Sequence, residues 1–278
     1  MTYILFNPLA NGGHGTKGLE TVRAAFAAES PESIDITTLD TGAFLTHLTG
    51  EDKVILCGGD GTIHQLVNSL AGAVPAVPIY VWRFGTGNDF LRDTAQKSDD
   101  RVLLNSHIRN LPRADFNGTT HRFLNGCSLG VDAVVCATME ENRLKPKKTG
   151  YVMTAVQAIF RRFQPMSGRV NVDGVTREYK NIWMAGTMNG HYQGGGKNFA
   201  PDQDRNGTWL CSMVWHDTSA LGTLLRFPTV LVGAHTRFKT ICDIRFGHHI
   251  TVELDRPTTI QMDGEVTEGV QSYTAHKE

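Results

Sequence analysis

In the first part of the chain, short strand-like segments alternate with segments in which apolar residues recur at helical spacing. Short apolar runs typical of buried strands lie at Tyr3–Phe6, Lys53–Cys57 and Val77–Trp82, and Ile34–Thr38 alternates between apolar and polar residues as a short strand does. Elsewhere apolar residues recur every three to four positions, which predicts helices that begin at Thr16 or Lys17, span Thr41–Leu48, follow Thr62 and span Ser98–Asn110. Strands and helices in alternation predict an α/β domain, with a parallel sheet and helices on its faces.

The pattern changes after Leu111-Pro112. Asn117-Gly118 separates two strand-like runs and predicts a hairpin. Further short strands follow, separated by glycine turns: Arg169–Val172, Ile182–Gly186, Trp209–Trp215, Ile250–Glu253 and Thr259–Met262. One helical pattern interrupts them, from about Gly150 to Phe163. We therefore predict an α/β domain over residues 1–112 and a mostly antiparallel β domain over residues 113–266.

Three glycine-rich loops follow predicted strands of the first domain, at Asn7–Gly15, Gly58–Thr62 and Gly85–Phe90. Ligands of parallel sheets bind at the carboxyl ends of the strands, so these loops are expected at one edge. Glycine exposes backbone N–H groups to a ligand, and the N-terminus of a helix favours an anion. Asp60 stands inside the sequence Cys57–His64, and a carboxylate beside an anion is favourable when a metal ion or a proton transfer needs it. The pattern indicates phosphate, a divalent cation and phosphoryl transfer, without the Gly-x-x-x-x-Gly-Lys-Ser/Thr loop of P-loop enzymes.

The composition excludes several classes of protein. The 278 residues carry a formal net charge of −1, which gives no bulk field for nucleic acid. Five scattered cysteines form no Cys-x-x-Cys pair, which argues against a disulfide framework or a zinc site and fits a reducing cytosol. The N-terminus has no signal-peptide pattern, and Arg226 and Pro228 interrupt the apolar stretch 221–234. We expect a cytoplasmic protein that meets any membrane from its surface.

Basic residues are concentrated in one stretch of the second domain. Nine lie between residues 143 and 180, opposed only by Asp173 and Glu178: Arg143, Lys145, Lys147, Lys148, Arg161, Arg162, Arg169, Arg177 and Lys180. Each basic residue near an anionic membrane contributes about 1 kcal/mol to binding. The stretch therefore predicts peripheral contact with the inner face of a membrane, with a solvated helix and loop surface as the alternative.

The motifs lie in a fixed order along nearly the whole chain. They are Asn7-Pro8, Thr38, Gly58-Gly59-Asp60-Gly61-Thr62, Gly85-Thr86-Gly87-Asn88-Asp89-Phe90, Asp115, Phe123-Leu124-Asn125, Gly130-Val131-Asp132-Ala133, Asn189–Gly196, Ala200-Pro201 and Asp263-Gly264-Glu265. Together they resemble the diacylglycerol kinase catalytic-domain family, specifically its small bacterial lipid kinases. The glycine-Asp loop alone also occurs in NAD kinases and phosphofructokinases, whereas its combination with the Gly85–Phe90 motif is specific.

The resemblance implies an N-terminal α/β domain of the NAD kinase and phosphofructokinase type, which binds ATP, and a C-terminal antiparallel β-sandwich domain for the lipid. It also allows residues 267–278 to return to the first domain. The residues that match nucleotide-binding positions are Asn7, Pro8, Leu9, Ala10, Asn11, Thr38, Gly58, Gly59, Asp60, Gly61, Thr62, Ile63, His64, Gly85, Thr86 and Asn88.

The resemblance further implies that Asp60 holds Mg²⁺, with Asp89 and Asp115 in the same network. Asp263 or Glu265 would be the base that takes the proton from the lipid hydroxyl, and the sequence leaves that choice open. Three glycine loops, a metal-facing carboxylate and a distant base are the groups that phosphoryl transfer needs.

Two stretches depart from the family pattern. Relatives often carry Asp-Asp-Gly near a second, structural Mg²⁺ site, and Asn206 stands where the final Asp is expected. An amide lacks the charge that makes such a site tight, so Gln203, Asn206 and Thr208 form a weak candidate site. Arg83-Phe84 also replaces the proline-containing pair that relatives often place before Gly-Thr.

The sequence thus predicts an ATP- and Mg²⁺-dependent kinase acting on diacylglycerol or a related lipid alcohol. The alternatives are a kinase of a soluble metabolite, similar to NAD kinase, and a non-catalytic relative that binds nucleotide or lipid. The Gly85–Phe90 motif and the basic stretch favour the lipid kinase over the first, and the intact Asp60, Asp89 and Asp263 favour it over the second. A homodimer is compatible with the resemblance, because members of the family often dimerise.

Overall fold

A computed structural model describes residues 1–84, 87–94, 101–143 and 150–278, with the backbone alone at residues 11, 12, 143, 151 and 152. The chain divides into two compact units, Met1–Leu111 and Pro112–Glu278. No helix among these described ranges is both long and apolar enough to cross a membrane.

The first unit is an α/β domain. Its elements are β1 (Thr2–Phe6), α1 (Ala10–Gly13), α2 (Gly15–Ala25), β2 (Glu32–Asp35), α3 (Thr41–Thr46), β3 (Lys53–Gly58), α4 (Asp60–Ser69), β4 (Ile79–Arg83), α5 (Asp89–Thr94) and β5 (Arg101–Leu103). The sheet order is β2-β1-β3-β4-β5, parallel through β4, with β5 antiparallel at the edge. The predicted parallel sheet is therefore confirmed.

Both faces of this sheet are buried, as a sheet covered by helices requires. Leu19, Val22 and Phe26 from α2 and the residue after it pack on Ile4 and Ile55 of neighbouring strands. The intervening residues of β1 and β3, such as Leu5 and Leu56, point to the opposite face and are also fully buried.

Two local predictions in this unit were wrong. The predicted helix Ser98–Asn110 is, in its described part, the edge strand β5 followed by a 3-10 turn at Leu104–Ser106. Val102 is buried against β4 while Leu103 is exposed, so pairing with β4 decided the conformation over the helical pattern. The predicted strand Ile34–Thr38 ends at Asp35, whose side chain accepts a hydrogen bond from the Thr37 N–H and begins a 3-10 turn.

The second unit is built on an antiparallel sheet of ten strands. Its elements are β6 (Arg113–Phe116), β7 (Thr119–Arg122), β8 (Gly126–Gly130), α6 (Val131–Arg143), α7 (Tyr151–Gln157), a π-helical turn (Ala158–Arg162), β9 (Met166–Val172), β10 (Val175–Ile182), β11 (Met184–Met188), β12 (Tyr192–Gln193), β13 (Lys197–Asn198), β14 (Leu210–Trp215), α8 (Ala220–Arg226), 3-10 turns (Phe227–Val232 and Ala234–Arg237), β15 (Cys242–Gly247), β16 (His249–Met262) and β17 (Glu265–His276). The order is β15-β14-β11-β8-β16-β17-β6-β7, with β9 and β10 added at β16, and β12 and β13 form a separate pair.

The predicted hairpin at Asn117-Gly118 joins β6 and β7, and both turn residues have positive φ, 50° and 75°. The strands predicted at Ile250–Glu253 and Thr259–Met262 are one strand, β16, whose register with β17 shifts around Pro257. Proline has no backbone N–H to donate to the hydrogen bonds between the strands, which explains why the register shifts around Pro257.

Two further predictions for this unit need correction. The single predicted helix is α7 with its π-helical turn, but α6 and α8 are helices as well. The β-branched residues of α6 and the short length of α8, seven residues, weakened the helical pattern. Residues 267–278, for which a return to the first domain was allowed, lie in β17 and the two residues after it. Because β17 pairs with β16 and β6, they belong to the second unit.

Candidate active site

The first glycine-rich loop follows β1 and folds back on itself. The Asn7 side-chain oxygen accepts the Leu9 N–H at 2.9 Å, and the short helix α1 begins at Ala10. A side chain at Gly15 would place Cβ 1.9 Å from the Asn7 carbonyl oxygen, so α2 can approach the strand end only through glycine. No side chain caps the first turn of α2, and its N-terminus remains suited to an anion.

The second loop joins β3 directly to α4. Gly59 caps α4 in an extended conformation, with no side-chain hydrogen bond to the first turn, and the first intrahelical bond runs from Ile63 N–H to Gly59 O at 3.1 Å. At Gly58 a Cβ would lie 2.4 Å from the Thr62 side chain, so this glycine is required for the close packing of helix on strand. The N–H groups of Asp60, Gly61 and Thr62 therefore point out of the helix end, as in a phosphate-binding turn.

Asp60 connects the second loop with the third. Its Oδ2 accepts the Asp89 N–H at 3.0 Å, and its Oδ1 accepts the Phe90 N–H at 2.9 Å. These two donors begin α5, and Asn88 precedes them in the left-handed conformation with φ 49°. One carboxylate at the N-terminus of α4 thus caps the first turn of α5, which brings the two glycine motifs of the sequence together.

The other candidate residues of this unit differ in their exposure and in their contacts. Thr38 is exposed in the 3-10 turn after β2, where its hydroxyl donates to the Asp35 carbonyl at 3.1 Å. Ile63 and His64 are buried within α4, so the Ile63 side chain belongs to the core and only its backbone is left for a ligand. Gly85 and Thr86, and the side chain of Asn11, lie outside the described residues.

Asp115 lies in the second unit, on β6. Its Oδ1 accepts the Thr120 hydroxyl at 2.5 Å, and its Oδ2 lies 3.6 Å from Nδ1 of His276. Its membership of a network with Asp60 and Asp89 stays a prediction.

Asp263 occupies the tight turn between β16 and β17. It has φ 51° and Gly264 has φ 97°, the conformation that an Asp-Gly hairpin turn requires. Its Oδ2 accepts the Leu124 N–H at 2.7 Å, and its Oδ1 accepts the Asn125 and Gly126 N–H groups at 2.7 and 3.2 Å. Three consecutive backbone donors therefore fix a buried carboxylate. Glu265, two residues later, is exposed at the start of β17.

A buried group of polar side chains holds the loop that carries those donors. Arg205 donates to the Leu124 carbonyl at 2.5 Å and to Oδ1 of Asn125 at 2.7 Å. Asn189 donates its side-chain amide to the Leu124 carbonyl at 2.8 Å. The Lys277 ammonium donates to Oδ1 of Asn189 at 2.8 Å and to the Arg205 carbonyl at 2.6 Å.

We call Asn189, Arg205 and Lys277 the polar brace. Burial and, to a smaller extent, the positive charge of Arg205 lower the pKa of Lys277 to about 8, and the opposing effect of Asp204 is weaker. Sequence reasoning missed Arg205 and Lys277, since nothing in their spacing joins position 277 to position 205. Among the side chains that form these hydrogen bonds, only Asn125 and Asn189 belong to motifs noted in the sequence.

The weak second metal site receives no support from this geometry. The buried Gln203 amide nitrogen donates to the Trp209 carbonyl at 2.7 Å and to the Asp204 carbonyl at 3.2 Å, whereas Asn206 and Thr208 are exposed. Across the described ranges, no three or more His, Cys, Asp or Glu side chains form a metal-binding group.

Comparisons with known proteins agree with this architecture. Residues 1–132 match the diacylglycerol kinase catalytic domain, and residues 125–274 match the YegS C-terminal NAD kinase beta sandwich-like domain. The chain is 25% identical over 257 residues to "Diacylglycerol kinase" of Mycobacterium tuberculosis (strain CDC 1551 / Oshkosh), covering 87% of this chain and 81% of that protein. It is 26% identical over 242 residues to "Probable lipid kinase YegS-like" of Stenotrophomonas maltophilia (strain K279a), covering 80% and 75%.

Among solved structures, a diacylglycerol kinase from Bacillus anthracis strain Sterne superimposes with a TM-score of 0.68 at 20% identity. The match covers 99% of this chain and 93% of that one, which shows the fold.

The match to a diacylglycerol kinase catalytic domain, together with relatives named as diacylglycerol kinase and lipid kinase, identifies the chain as a kinase. The second-domain match alone spans more than half of the chain. The chain belongs to the diacylglycerol kinase catalytic-domain family, with the YegS type of C-terminal domain.

Proposed function

We propose that this protein is an ATP- and Mg²⁺-dependent lipid kinase that transfers the γ-phosphate to a hydroxyl group of diacylglycerol or a related lipid alcohol. The observation that carries the proposal is the Asp60 carboxylate, which binds two backbone N–H groups of α5 from the N-terminus of α4. It unites the two motifs whose combination is specific to lipid kinases. The names of the relatives, diacylglycerol kinase and lipid kinase, support the substrate class.

The nucleotide is assigned to the first unit. The backbone N–H groups at the starts of α2 and α4 would bind its phosphates, because a helix N-terminus favours an anion and no side chain caps either start. Asn7 to Asn11, Thr38, Gly58 to His64, Gly85, Thr86 and Asn88 remain the proposed contacts, with Ile63 acting through its backbone.

The carboxylates of the first unit fit a magnesium ion. Each Asp60 oxygen accepts a hydrogen bond from one of the two N–H groups described above, so the carboxylate has a fixed orientation at the N-terminus of α4. Mg²⁺ prefers oxygen ligands, which the carboxylates of Asp60 and Asp89 offer. Kinase sites typically bind this ion with one or two carboxylates and the phosphates of the substrate. Asp60 and Asp89 would hold the ion, which would supply positive charge against the charge that develops on the transferred phosphate.

Asp263 is the base in this proposal. Three N–H donors orient its carboxylate, and a general base must be held in a fixed position toward the proton that it accepts. Glu265 is the alternative, but it is exposed at the start of a strand. Asn189, Arg205 and Lys277 act through the 124–126 loop, so they are positioning residues rather than catalytic ones.

The proposed setting is the cytoplasmic face of a membrane, where the enzyme binds peripherally. Nucleic acid is not a proposed ligand, and a soluble metabolite is not the proposed phosphate acceptor. A homodimer remains compatible with the family.

The test is transfer of labelled phosphate from ATP with Mg²⁺ to a panel of lipid alcohols in mixed micelles, with NAD and sugars as parallel acceptors. We expect labelled product with diacylglycerol or another lipid alcohol. Labelled product with NAD or a sugar alone would contradict the lipid assignment. The absence of transfer to every acceptor, from a protein that still binds nucleotide, would favour a non-catalytic relative.

A further inference from the structure

The outward side of α8 and the 3-10 turn after it carries four exposed aliphatic residues. Leu221 and Leu225 are 57% and 68% exposed, and Leu231 and Val232 are 55% and 76% exposed. Leu221 and Leu225 are four residues apart in one helix, so they lie on the same side. Isolated exposed leucines are ordinary, but four within twelve residues form a concentrated apolar surface. We call these four residues the leucine face.

The same segment is firmly attached to the unit by its inner side. Thr223 and Val230 are buried, and Leu224 and Phe227 pack against the core of the sheet. The Ser219 side chain caps α8 by accepting the Gly222 N–H at 3.0 Å. The leucine face is therefore the outer side of an ordered, amphipathic segment.

The charged side chains of this segment are all positive. Residues 218–242 contain Arg226, Arg237 and Lys239, all exposed, and no Asp or Glu. The acidic residues that flank the segment are already engaged, Asp217 with His216 at 3.0 Å and Asp243 with Arg177 at 2.9 Å. An apolar surface accompanied by cations matches the interface of an anionic bilayer.

The basic stretch between residues 143 and 180 suits this role less well. Arg162 pairs with Glu141 at 3.0 Å, Arg169 with Glu253 at 2.7 Å, and Arg177 with Asp243 at 2.9 Å. Three of its cations are thus compensated within the unit. The stretch nevertheless adjoins α8, because an open groove of about 590 Å³ lies between the two and is lined by Phe160, Phe163, Trp183 and the start of α8.

We propose that the leucine face docks on an anionic membrane surface, inserting its four aliphatic side chains while Arg226, Arg237 and Lys239 contact lipid phosphates. The proposal deepens the lipid-kinase function proposed above and rests on it for its setting. A second copy of the chain is the less favoured occupant. Two such faces brought together would gather the cations of both copies without any carboxylate from the segment.

The experiment measures co-sedimentation of the full chain with vesicles of phosphatidylcholine and phosphatidylserine, neither of which carries a hydroxyl group, without a lipid alcohol or nucleotide. Binding then does not depend on catalysis, so this proposal can fail while the kinase stands, and the reverse. We expect Leu221→Ser/Leu225→Ser to lower the partition coefficient about tenfold or more, since each buried CH₂ contributes about 0.8 kcal/mol. Val175→Ser, which changes an aliphatic residue 61% exposed on β10, is the matched control for Leu225→Ser and should bind as wild type.

Electrostatics is tested by the second set of variants. Arg226→Gln/Arg237→Gln/Lys239→Gln should weaken binding to anionic vesicles by about tenfold or more and leave the weak binding to pure phosphatidylcholine unchanged. Leu231→Ser/Val232→Ser repeats the apolar test should the first pair disturb α8, which circular dichroism would reveal.

Unchanged vesicle binding of both folded serine pairs would overturn the proposal. So would light scattering that shows a wild-type dimer and a Leu221→Ser/Leu225→Ser monomer, because the face would then be a contact between copies. Kinase turnover offers an independent check. The serine pair should lose activity on vesicle-embedded diacylglycerol and retain it on a water-soluble short-chain analogue.

Discussion

Replacing Asp263 by asparagine separates the chemistry of this residue from its place in the fold. Asparagine tolerates the positive φ of 51° and suits the turn before Gly264, so the hairpin between β16 and β17 is kept. The amide oxygen can still accept the Asn125 and Gly126 N–H groups. Its NH₂ group, however, faces the Leu124 N–H, a donor against a donor at a site where the two atoms are now 2.7 Å apart.

The cost to stability follows from that one lost bond. A buried donor left unsatisfied costs about 1–3 kcal/mol. Natural domains are stable by about 5–15 kcal/mol, so the variant stays largely folded at 25 °C. A unit of this size should lose about 2–4 °C in Tm for each kcal/mol.

The effect on turnover should be far larger. Removing a general base lowers the rate by about 10²–10⁴-fold, which corresponds to about 2.7–5.4 kcal/mol at 1.36 kcal/mol per factor of ten. The assay is steady-state phosphate transfer from ATP to diacylglycerol in mixed micelles, read as kcat and as KM for each substrate. We expect kcat to fall at least a hundredfold while KM for ATP changes little, because Asp263 lies outside the unit assigned to the nucleotide.

Glu265→Gln is the matched control, a change of carboxylate to amide two residues away on an exposed side chain. It should keep kcat within about a factor of two, as expected for a surface substitution. If Asp263→Asn keeps more than a tenth of wild-type kcat while Glu265→Gln loses a hundredfold, the base is Glu265 and our reading of the buried carboxylate is refuted.

Two other predictions concern Asp60 and Lys277. Asp60→Ala removes the acceptor of two N–H groups of α5, so we expect turnover to fall at least a hundredfold and stability by about 1 kcal/mol, the usual cost of a lost helix cap. Asp40→Ala is the control, because it removes a comparable cap from α3, where Asp40 accepts the Ala43 N–H at 3.0 Å. It should lower stability by a similar amount without loss of turnover. Equal turnover in the two variants would disprove a catalytic role of Asp60. Lys277 has a pKa of about 8 when folded and about 10.5 when unfolded, so between these values the unfolded chain binds more protons. The stability of the wild type relative to Lys277→Met should therefore stay level below pH 8 and rise from pH 8 toward 10.5 in urea unfolding, and a falling difference would contradict burial of this amine.

Much of the first unit could be predicted from the sequence because its evidence is local. A parallel strand buried on both faces reads as a continuous apolar run, and the glycine at its end marks where the backbone must turn into a helix. The position of Gly58 and Gly59 at the end of a strand could therefore be predicted from the sequence alone. The same local evidence failed at Val102 and Leu103, where an edge strand and a helix have similar patterns and only pairing with β4 distinguishes them.

The sequence by itself thus determined the fold class, the strand-end position of Asp60 and the two carboxylates from which a base had to be chosen. Tertiary structure alone decided how these groups are held. The bonds from Asp60 to the start of α5 and from Leu124, Asn125 and Gly126 to Asp263 join residues 29 to 139 positions apart. Such contacts depend on how strands are ordered in a sheet, and no spacing along the chain encodes that order. The polar brace shows the same limit, because the hydrogen bond from Lys277 to the Arg205 carbonyl depends on where β17, which ends directly before Lys277, lies in the sheet of the second unit.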